Sequence, residues 1–331
     1  MTDINETQAF RALGPDAILD AVESLGFHCD GRLQALNSYE NRVYQIGLED
    51  GAPLVGKFYR PARWSDAAIQ EEHDFCLELA AEELPVVAPW RSPDGRTLQR
   101  FGAYRFALFP RQAGRAPELD DPQPLEQLGR LLARVHNLGA LRPFVARPSF
   151  DWQHWGEESS HYLLEQGFIP PDLVLAYRTL AEDLLVRVRA AFDRAGPVER
   201  LRLHGDCHPG NILWSNDQPY LVDLDDCRSG PAIQDLWMLL SGERPQMTFS
   251  LACLLDGYTQ FRDFDPRELH LLEALRTLRI MHYAAWLARR WEDPAFPRAF
   301  TWFNSQHYWQ DHILALREQA ALLDEPPLVW N

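Results

Sequence analysis

The segment at residues 201–225 constrains the fold more than any other part of the chain. Apolar stretches flank a polar loop, His-Gly-Asp-Cys-His-Pro-Gly-Asn at 204–211, and an acidic cluster follows at 223–226. This pattern predicts a strand–loop–strand unit with Asp206, Asn211 and Asp223 at the ends of apolar strands. A simple polar turn is the alternative, but it would not need three oxygen-bearing side chains, each tied to an apolar strand. The pattern therefore indicates a chemical site.

These three side chains suit phosphoryl transfer. Asp206 would accept the proton of an attacking hydroxyl. Asn211 would offer Mg²⁺ a neutral oxygen, and Asp223 a charged one that bridges the metal to the β- and γ-phosphates. Magnesium favours few protein ligands together with phosphate oxygens, so one Asn and one Asp suffice. The sequence thus predicts ATP as the donor, Mg²⁺ as the cofactor, and Asp206 and Asp223 as catalytic residues.

Lys57 is the only lysine of the chain and lies in an apolar, strand-like run at 53–59; the other 31 basic residues are arginines. Arginine evidently serves wherever a positive charge alone is needed. A lone lysine on a strand therefore indicates a place that only its slim stem fits, such as the α- and β-phosphates of a nucleotide. The alternative is a surface lysine retained by chance.

Turn residues and hydrophobic periodicity divide the chain into a strand-rich part and a helical part. Strands are predicted at 32–36, 42–48, 53–59, 96–101 and 103–109. Helices are predicted at 15–25, 66–83, 124–138, 159–166, 172–195, 232–241, 248–262, 266–291 and 305–323. We expect an α+β fold with a nucleotide-binding lobe at 1–110, a hinge at 111–117, a helical catalytic lobe at 118–331, and a cleft between the lobes.

Charge and composition exclude several classes of protein. A net charge of −16 argues against a nucleic-acid binder, which needs a basic face. No apolar run is long enough to span a bilayer, and the acidic N-terminus does not resemble a signal peptide. The five cysteines are an odd number without the spacing of a disulfide framework, which is typical of reduced thiols, and without a CxxC pair there is no signature of structural zinc. We expect a cytoplasmic protein with no membrane or nucleic-acid partner, and we take it to be a monomer.

Several longer stretches resemble a known family, at 36–45, 57–61, 201–214, 222–226, 230–237 and 289–297. On these stretches nearly the whole chain resembles kinases of the aminoglycoside phosphotransferase, choline kinase and homoserine kinase group. The resemblance implies a bilobal protein-kinase-like fold with a small β-rich N-lobe and a larger, mainly helical C-lobe. Within the group the chain is most similar to bacterial serine/threonine protein kinases of the stress response, which implies a protein hydroxyl as acceptor.

The resemblance also assigns residues. It gives Asp206 the role of catalytic base, Asn211 and Asp223 those of magnesium ligands, and Lys57 that of the phosphate-binding lysine. The partner of this lysine should be a carboxylate on the following helix.

Glu72 fits that partner best, because apolar residues three and seven positions later then fall on the packed side; the adjacent Glu71 is the alternative, and a solvated helix face is a further one. Ser38 lies in the turn at 36–42, where related kinases have a glycine-rich loop. We expect this serine and nearby N–H groups to cover the phosphates, although the turn could be a plain hairpin.

Other polar residues are expected to support the site. His204 should hold the loop by hydrogen bonds, and Asp235 should brace it, unless Asp235 is an ordinary first-turn aspartate that favours the helix dipole. Asp225 could join the metal site or support it from outside. A redox role for Cys207 or Cys227 is disfavoured, since the neighbouring Asp206 opposes the thiolate of Cys207.

Only six residues separate Asp223 from Gly230. This leaves no room for a long activation segment, so we expect activity without prior phosphorylation. Two other functions remain open. One is a small-molecule kinase for an amino alcohol or aminoglycoside, which an acidic chain could suit. The other is a pseudokinase scaffold, against which the intact set of Lys57, Asp206, Asn211 and Asp223 argues.

Overall fold

A computed structural model describes residue 10 and residues 12–330. The N-terminal part is a five-stranded antiparallel sheet in the order β1-β2-β3-β5-β4. Its strands are β1 (Cys29–Ala35), β2 (Arg42–Leu48), β3 (Leu54–Phe58), β4 (Gln99–Phe101) and β5 (Tyr104–Pro110). Helix α1 (Pro15–Glu23) packs on one face of the sheet and α2 (Asp66–Ala81) lies on the other.

Alternation along β3 decides where Lys57 points. Phe58 packs with Ile46 and Phe106 in the apolar cluster shared with α1. Successive side chains of a strand point to opposite faces, so Lys57 projects from the other face, toward α2. Because β3 is the central strand, paired with both β2 and β5, the lysine is held on a rigid support.

Helix α2 presents Glu72 to that lysine. The helix begins after Ser65, whose hydroxyl accepts the N–H of Ala68 at 3.1 Å. Its buried face carries Glu72 together with Phe75 and Leu79, three and seven residues later, which anchor the helix in the core.

The remainder of the chain is mainly helical. Its helices are α3 (Pro122–Ala140), α4 (Glu158–Glu165), α5 (Val174–Ala195), α6 (Ile233–Leu236), α7 (Arg244–Tyr258), α8 (Leu272–Arg289), α9 (Ala295–Ala299) and α10 (Gln306–Asp324). Helices α3 and α7 approach closely at two glycines: an added Cβ at Gly129 would lie 2.0 Å from the carbonyl oxygen of Leu254, and one at Gly257 would lie 2.1 Å from that of Glu126. No helix of the described residues is long and apolar enough to span a membrane.

Two short two-stranded sheets interrupt the helices. Strand β6 (Leu201–Leu203) pairs with β9 (Arg228–Gly230), and β7 (Ile212–Ser215) pairs with β8 (Gln218–Leu221). The predicted α+β fold, a small sheet lobe and a larger helical lobe, is confirmed.

Three local details differ from the sequence-based prediction. The predicted helix at 232–241 is only α6 followed by a 3₁₀ turn at Trp237–Leu239, and the backbone is extended at Leu240. The predicted helix at 266–291 begins as a 3₁₀ helix at Pro266–Leu271, and α8 itself starts at Leu272. Strand β9 and helix α9 were not predicted. The segments α6, β9 and α9 are three to five residues long, too short for periodicity to define them.

Candidate active site

The loop at 204–211 is shaped by one histidine and one glycine. His204 donates from Nε2 to the carbonyl oxygen of Val222 at 2.9 Å, and its Nδ1 accepts the N–H of Asp206 at 3.3 Å. These bonds tie the loop to the residue before Asp223. Gly205 has φ +83°, and an added Cβ would lie 2.2 Å from the carbonyl oxygen of Asp226, so only glycine fits. His204 thus props the loop, as the sequence suggested.

Asp235 braces the same loop from α6. Its two carboxylate oxygens accept the N–H groups of His204 and Gly205, both at 2.8 Å, and His136 Nε2 lies 3.3 Å away. Burial alone would raise the pKa of Asp235, but the hydrogen bond from His136, the neighbouring His204 and the N–H of Gly205 together outweigh burial and lower it. The buried carboxylate therefore stays ionised and fixes two loop amides.

Helix α6 is held in turn by Glu268. This buried carboxyl, in the turn before α8, accepts the N–H of Ile233 at 2.8 Å. Burial raises the pKa of Glu268 to about 7; the N–H of Ile233 opposes this rise, and the charges of Asp265 and Glu199 add to it.

This raised pKa predicts a pH-dependent stability. Because the pKa in the folded state lies above the ordinary value of 4.5, the contribution of Glu268 to stability is complete below that pH and is lost as the pH rises through about 7. Glu268→Gln keeps the acceptor for Ile233. It should raise the free energy of unfolding near pH 8 by up to about 3 kcal/mol and change little near pH 4.5. Thermal unfolding at both pH values, with the exposed Glu318→Gln as control, measures this; the same shift at both pH values would contradict it.

Asp206 lies where the loop faces a cavity of 210 Å³. Its Oδ1 accepts a hydrogen bond from Arg279 Nη1 at 2.5 Å. Asn211 Nδ2 donates to the carbonyl oxygen of Asp206 at 3.0 Å and lies 3.4 Å from Asp206 Oδ2. These contacts use the nitrogen end of the Asn211 amide and leave its oxygen for another ligand.

A second cavity, of 350 Å³, lies between the sheet and the helical part. Much of its wall is apolar, from Leu36, Val43, Val55, Val87, Phe109, Leu213 and Val222. Its polar lining includes Lys57, Glu72, Asn211 and Asp223. Ser38 also lines this cavity, and its hydroxyl donates to the carbonyl oxygen of Asn41 at 3.2 Å within the same turn. An apolar slot with polar groups suits a planar base that carries phosphates.

Lys57 is the centre of charge in this cavity. It is 5% exposed, and its Nζ lies 3.0 Å from Glu72, 2.9 Å from Asp223 and 3.0 Å from Asp225. Burial alone would lower the pKa of Lys57, but these three carboxylates outweigh it and raise the pKa well above its usual value. The ammonium group therefore stays charged.

The structure separates the two neighbouring glutamates of α2. Glu72 contacts Lys57 through Oε1 and Arg147 through Oε2, at 3.0 and 2.7 Å. Glu71 instead accepts three successive backbone N–H groups, from residues 145–147, at 2.7–2.9 Å. Of the two alternatives, Glu72 is the partner of the lysine, while Glu71 holds a loop of the helical part.

Two arginines that the sequence did not single out complete this charge network. The buried Arg147 joins Glu72 to the carbonyl oxygens of Asp225 and Cys227. Arg63 binds the carboxylates of Asp225 and Asp226. Neither arginine belongs to a periodic pattern or a motif that would have identified it.

Two side chains of the cavity, Asp223 and Asn211, keep oxygen atoms available for Mg²⁺. Asp223 keeps 47% of its side chain exposed, and the amide oxygen of Asn211 is not used by the loop. Both are hard oxygen donors that suit Mg²⁺. Among the described residues no three His, Cys, Asp or Glu side chains converge on a metal position, so phosphate and water oxygens would complete the shell. Asp225 is engaged by Lys57 and Arg63, which favours a supporting role.

The cysteines beside the loop are inert thiols. Cys207 and Cys227 are fully buried. Burial raises the pKa of Cys207 well above its usual value and that of Cys227 to about 12. Because the thiolate is the reactive form, a redox role is not favoured.

Three of the stretches that carried the family resemblance meet at one place, which we name the latch. From the turn at 36–42, Glu40 accepts hydrogen bonds from Trp286 Nε1 at 2.6 Å and from Arg290 Nε at 3.1 Å. From the stretch at 57–61, Arg60 Nη2 binds Asp293 at 2.7 Å. The turn that replaces a glycine-rich loop is thus fastened to the helical lobe.

Known proteins of one family match most of this chain. Residues 32–272 match the model of the phosphotransferase enzyme family. Over 324 residues the chain is 44% identical to stress response kinase A of Escherichia coli O157:H7, covering 98% of both chains. Over 319 residues it is 44% identical to serine/threonine protein kinase RdoA of Salmonella typhimurium, covering 96% of both chains.

Solved structures share the fold. An amicoumacin kinase in complex with AMP-PNP and Ca²⁺ superposes with a TM-score of 0.73 at 18% identity, covering 97% of both chains. A microcompartment-associated aminopropanol kinase gives a TM-score of 0.67 at 19% identity, covering 93% of this chain and 96% of the other. The match over most of the chain confirms the resemblance, and the protein belongs to the phosphotransferase enzyme family.

Proposed function

We propose that the protein is an ATP- and Mg²⁺-dependent kinase that transfers the γ-phosphoryl group to serine or threonine hydroxyls of proteins in a stress response. One observation carries the proposal: Asp206 faces one cavity, while Asn211, which hydrogen-bonds to it, and Asp223 face the other. A donor nucleotide and an acceptor hydroxyl could therefore meet across the loop. The names of the relatives at 44% identity support a protein acceptor and a stress response.

In this proposal the nucleotide occupies the cavity of 350 Å³. The base lies among the apolar side chains near Arg111 and Gln112, which belong to the proposed hinge at 111–117 between the lobes at 1–110 and 118–331. Lys57 contacts the phosphates and exchanges part of its bond to Asp223 for them. Bound by Asn211 and Asp223, Mg²⁺ would neutralise charge on the β- and γ-phosphates.

The acceptor occupies the cavity beside Asp206. Its hydroxyl oxygen forms a bond to the γ-phosphorus while the bond from that phosphorus to the β–γ bridging oxygen breaks, and ADP leaves with the electron pair. The hydroxyl proton passes to Asp206. Arg279 must give up part of its contact with Asp206 for the hydroxyl to reach the carboxylate.

The segment after Asp223 explains why no phosphorylation should be needed. Residues 224–226 form a 3₁₀ turn, and β9 pairs with β6 immediately afterwards. Asp226 is held by Arg63 at 2.8 Å and by Arg228 at 3.0 Å. A segment fixed in this way cannot swing over the cleft as a gate.

The direct test uses unphosphorylated protein, verified by intact mass. With Mg²⁺ and labelled ATP it should label itself or a generic protein acceptor on Ser or Thr, and Asp206→Asn should label them far more slowly. A panel of amino alcohols and aminoglycosides is assayed in parallel. If no protein is labelled while a small molecule of this panel is phosphorylated with kcat/KM of about 10⁴ M⁻¹s⁻¹ or more, the protein is a small-molecule kinase. No turnover of any acceptor would favour a pseudokinase scaffold.

We also propose that the protein is cytoplasmic and monomeric. Fractionation of cells and light scattering of the purified protein test these two points independently of the acceptor.

A further inference from the structure

The cavity beside Asp206, which we name the acceptor cleft, is lined by three arginines: Arg63, Arg228 and Arg279. An adjoining cavity of 690 Å³ shares Arg63 and Arg228 with it and adds Arg289 and Arg290. Five guanidinium groups thus line the two cavities, together with five carboxylates, those of Glu40, Asp151, Glu158, Asp206 and Asp226. A guanidinium group with unpaired donors recognises a carboxylate or a phosphate in preference to a cation.

The carboxylates of the acceptor cleft do not offer a comparable site for a cation. Glu40 already accepts hydrogen bonds from Trp286 and Arg290 in the latch. Asp226 is shared by Arg63 and Arg228. Asp206 is bound by Arg279. An ammonium group entering the cleft would have to compete with the partners that these carboxylates already bind, whereas an anion would compete only for Arg279, which makes a single hydrogen bond.

An uncharged imidazole lies on the floor of the cleft. His282 stacks on Trp155 with ring centroids 4.7 Å apart. Burial, aided by the charges of Arg228 and Arg289, lowers the pKa of His282 to about 3. This ring therefore adds no charge of either sign, and recognition of a charged acceptor falls to the arginines.

Arg279 is the arginine placed to act on the reaction. It projects from α8, a third of its side chain is exposed, and it donates one hydrogen bond to Asp206 Oδ1. Among the described residues no other hydrogen bond is made by this guanidinium group, and the residue lines the cleft, so it has unpaired donors to offer there. The oxygen that it covers is one that an acceptor hydroxyl would use.

We propose that Arg279 binds an anionic group, a carboxylate or a phosphate, that the acceptor carries within two residues of the phosphorylated hydroxyl. This inference rests on the proposed function. Residues two apart in an extended peptide point to the same side about 7 Å from each other, a span that an arginine side chain can bridge. The anion of the acceptor draws Arg279 from Asp206 and frees the carboxylate when the hydroxyl arrives. Specificity for acidic Ser or Thr sites follows.

The test uses four peptides with the same acceptor serine. Two residues from this serine they carry aspartate, phosphoserine, alanine or lysine. The phosphoserine cannot itself act as acceptor, because its hydroxyl is already esterified. For the wild type, kcat/KM should be about tenfold to a hundredfold higher with an acidic group than with lysine, the range expected of one charge-assisted contact. Comparison of the aspartate and phosphoserine peptides distinguishes the two sources of the anion. In Arg279→Gln the preference should fall close to one, whereas the exposed Arg317→Gln should retain it.

Each outcome bears on a separate claim. Equal kcat/KM for the acidic and lysine peptides with the wild type overturns this inference and leaves the proposed function standing, and this comparison does not require any variant to fold. A preference that persists in folded Arg279→Gln removes Arg279 from the recognition. If no peptide or protein is phosphorylated while a small alcohol is, the proposed function fails, and this inference fails with it.

Discussion

Replacement of Asp206 by asparagine should lower turnover by roughly 10²–10⁴-fold, the usual contribution of a positioned base, while the affinity for ATP changes little. Asparagine has the same shape but cannot take the proton of the acceptor hydroxyl. Its side-chain oxygen can still accept the hydrogen bond from Arg279, and the carbonyl oxygen that receives Asn211 belongs to the backbone. Single-turnover rates and ATP titration of the same preparation separate the two effects.

A matched control lies eleven residues further along the chain. Asp217 is exposed in the turn between β7 and β8 with φ +57°, a conformation that asparagine also accepts. Asp217→Asn removes one carboxylate from the same lobe without touching either cavity, so its turnover should equal that of the wild type. Near-normal turnover in Asp206→Asn would remove Asp206 from the mechanism and with it the main support for the reaction.

The fold could be predicted from the sequence where a pattern is local. Strands β2 and β3 and helix α2 follow from alternation, from turn residues and from helical spacing, which act within a few residues. The pairing of β6 with β9 could not be predicted. It depends on how Asp235 and His204 turn the loop, and these contacts join residues about 30 positions apart in the chain.

The residues of the site likewise include some that local sequence patterns could predict and some that they could not. Lys57, Asp206, Asn211 and Asp223 lie on strands or strand ends, so their chemistry could be inferred from position. Glu72 could be selected over Glu71 because Phe75 and Leu79, three and seven residues later, place it on the packed side of the helix.

Arg147 and Arg279 could not be found, because each acquires its role through a partner far away in the chain. Among 31 arginines, composition gives no reason to choose these two. A residue type that occurs once, such as the lysine, can be singled out from the sequence, whereas one arginine among many cannot.

Lys57→Arg should lower kcat/KM by roughly 10²-fold or more, the effect of losing a positioned electrostatic contact, although it preserves the charge. The Nζ of Lys57 is within 3.0 Å of Glu72, Asp223 and Asp225. A single compact ammonium serves all three carboxylates. The planar guanidinium is broader, spreads its charge over a fork, and cannot meet all three carboxylates from the one point that Nζ occupies.

Stability distinguishes the two substitutions at this position. Lys57→Ala takes the shared cation from buried Glu72 and Asp225, which retain Arg147 and Arg63, so the loss of unfolding free energy should stay below the roughly 3–5 kcal/mol of a buried charge left without any partner. Lys57→Arg keeps a cation and should lose much less. We therefore expect Lys57→Arg to be folded by thermal unfolding, nearly as inactive as Lys57→Ala, and weak in ATP binding, with the exposed Arg317→Lys as the reciprocal control. If folded Lys57→Arg matched the wild type in activity, shape would not matter at this site, and the single lysine among 31 arginines would be an accident of composition.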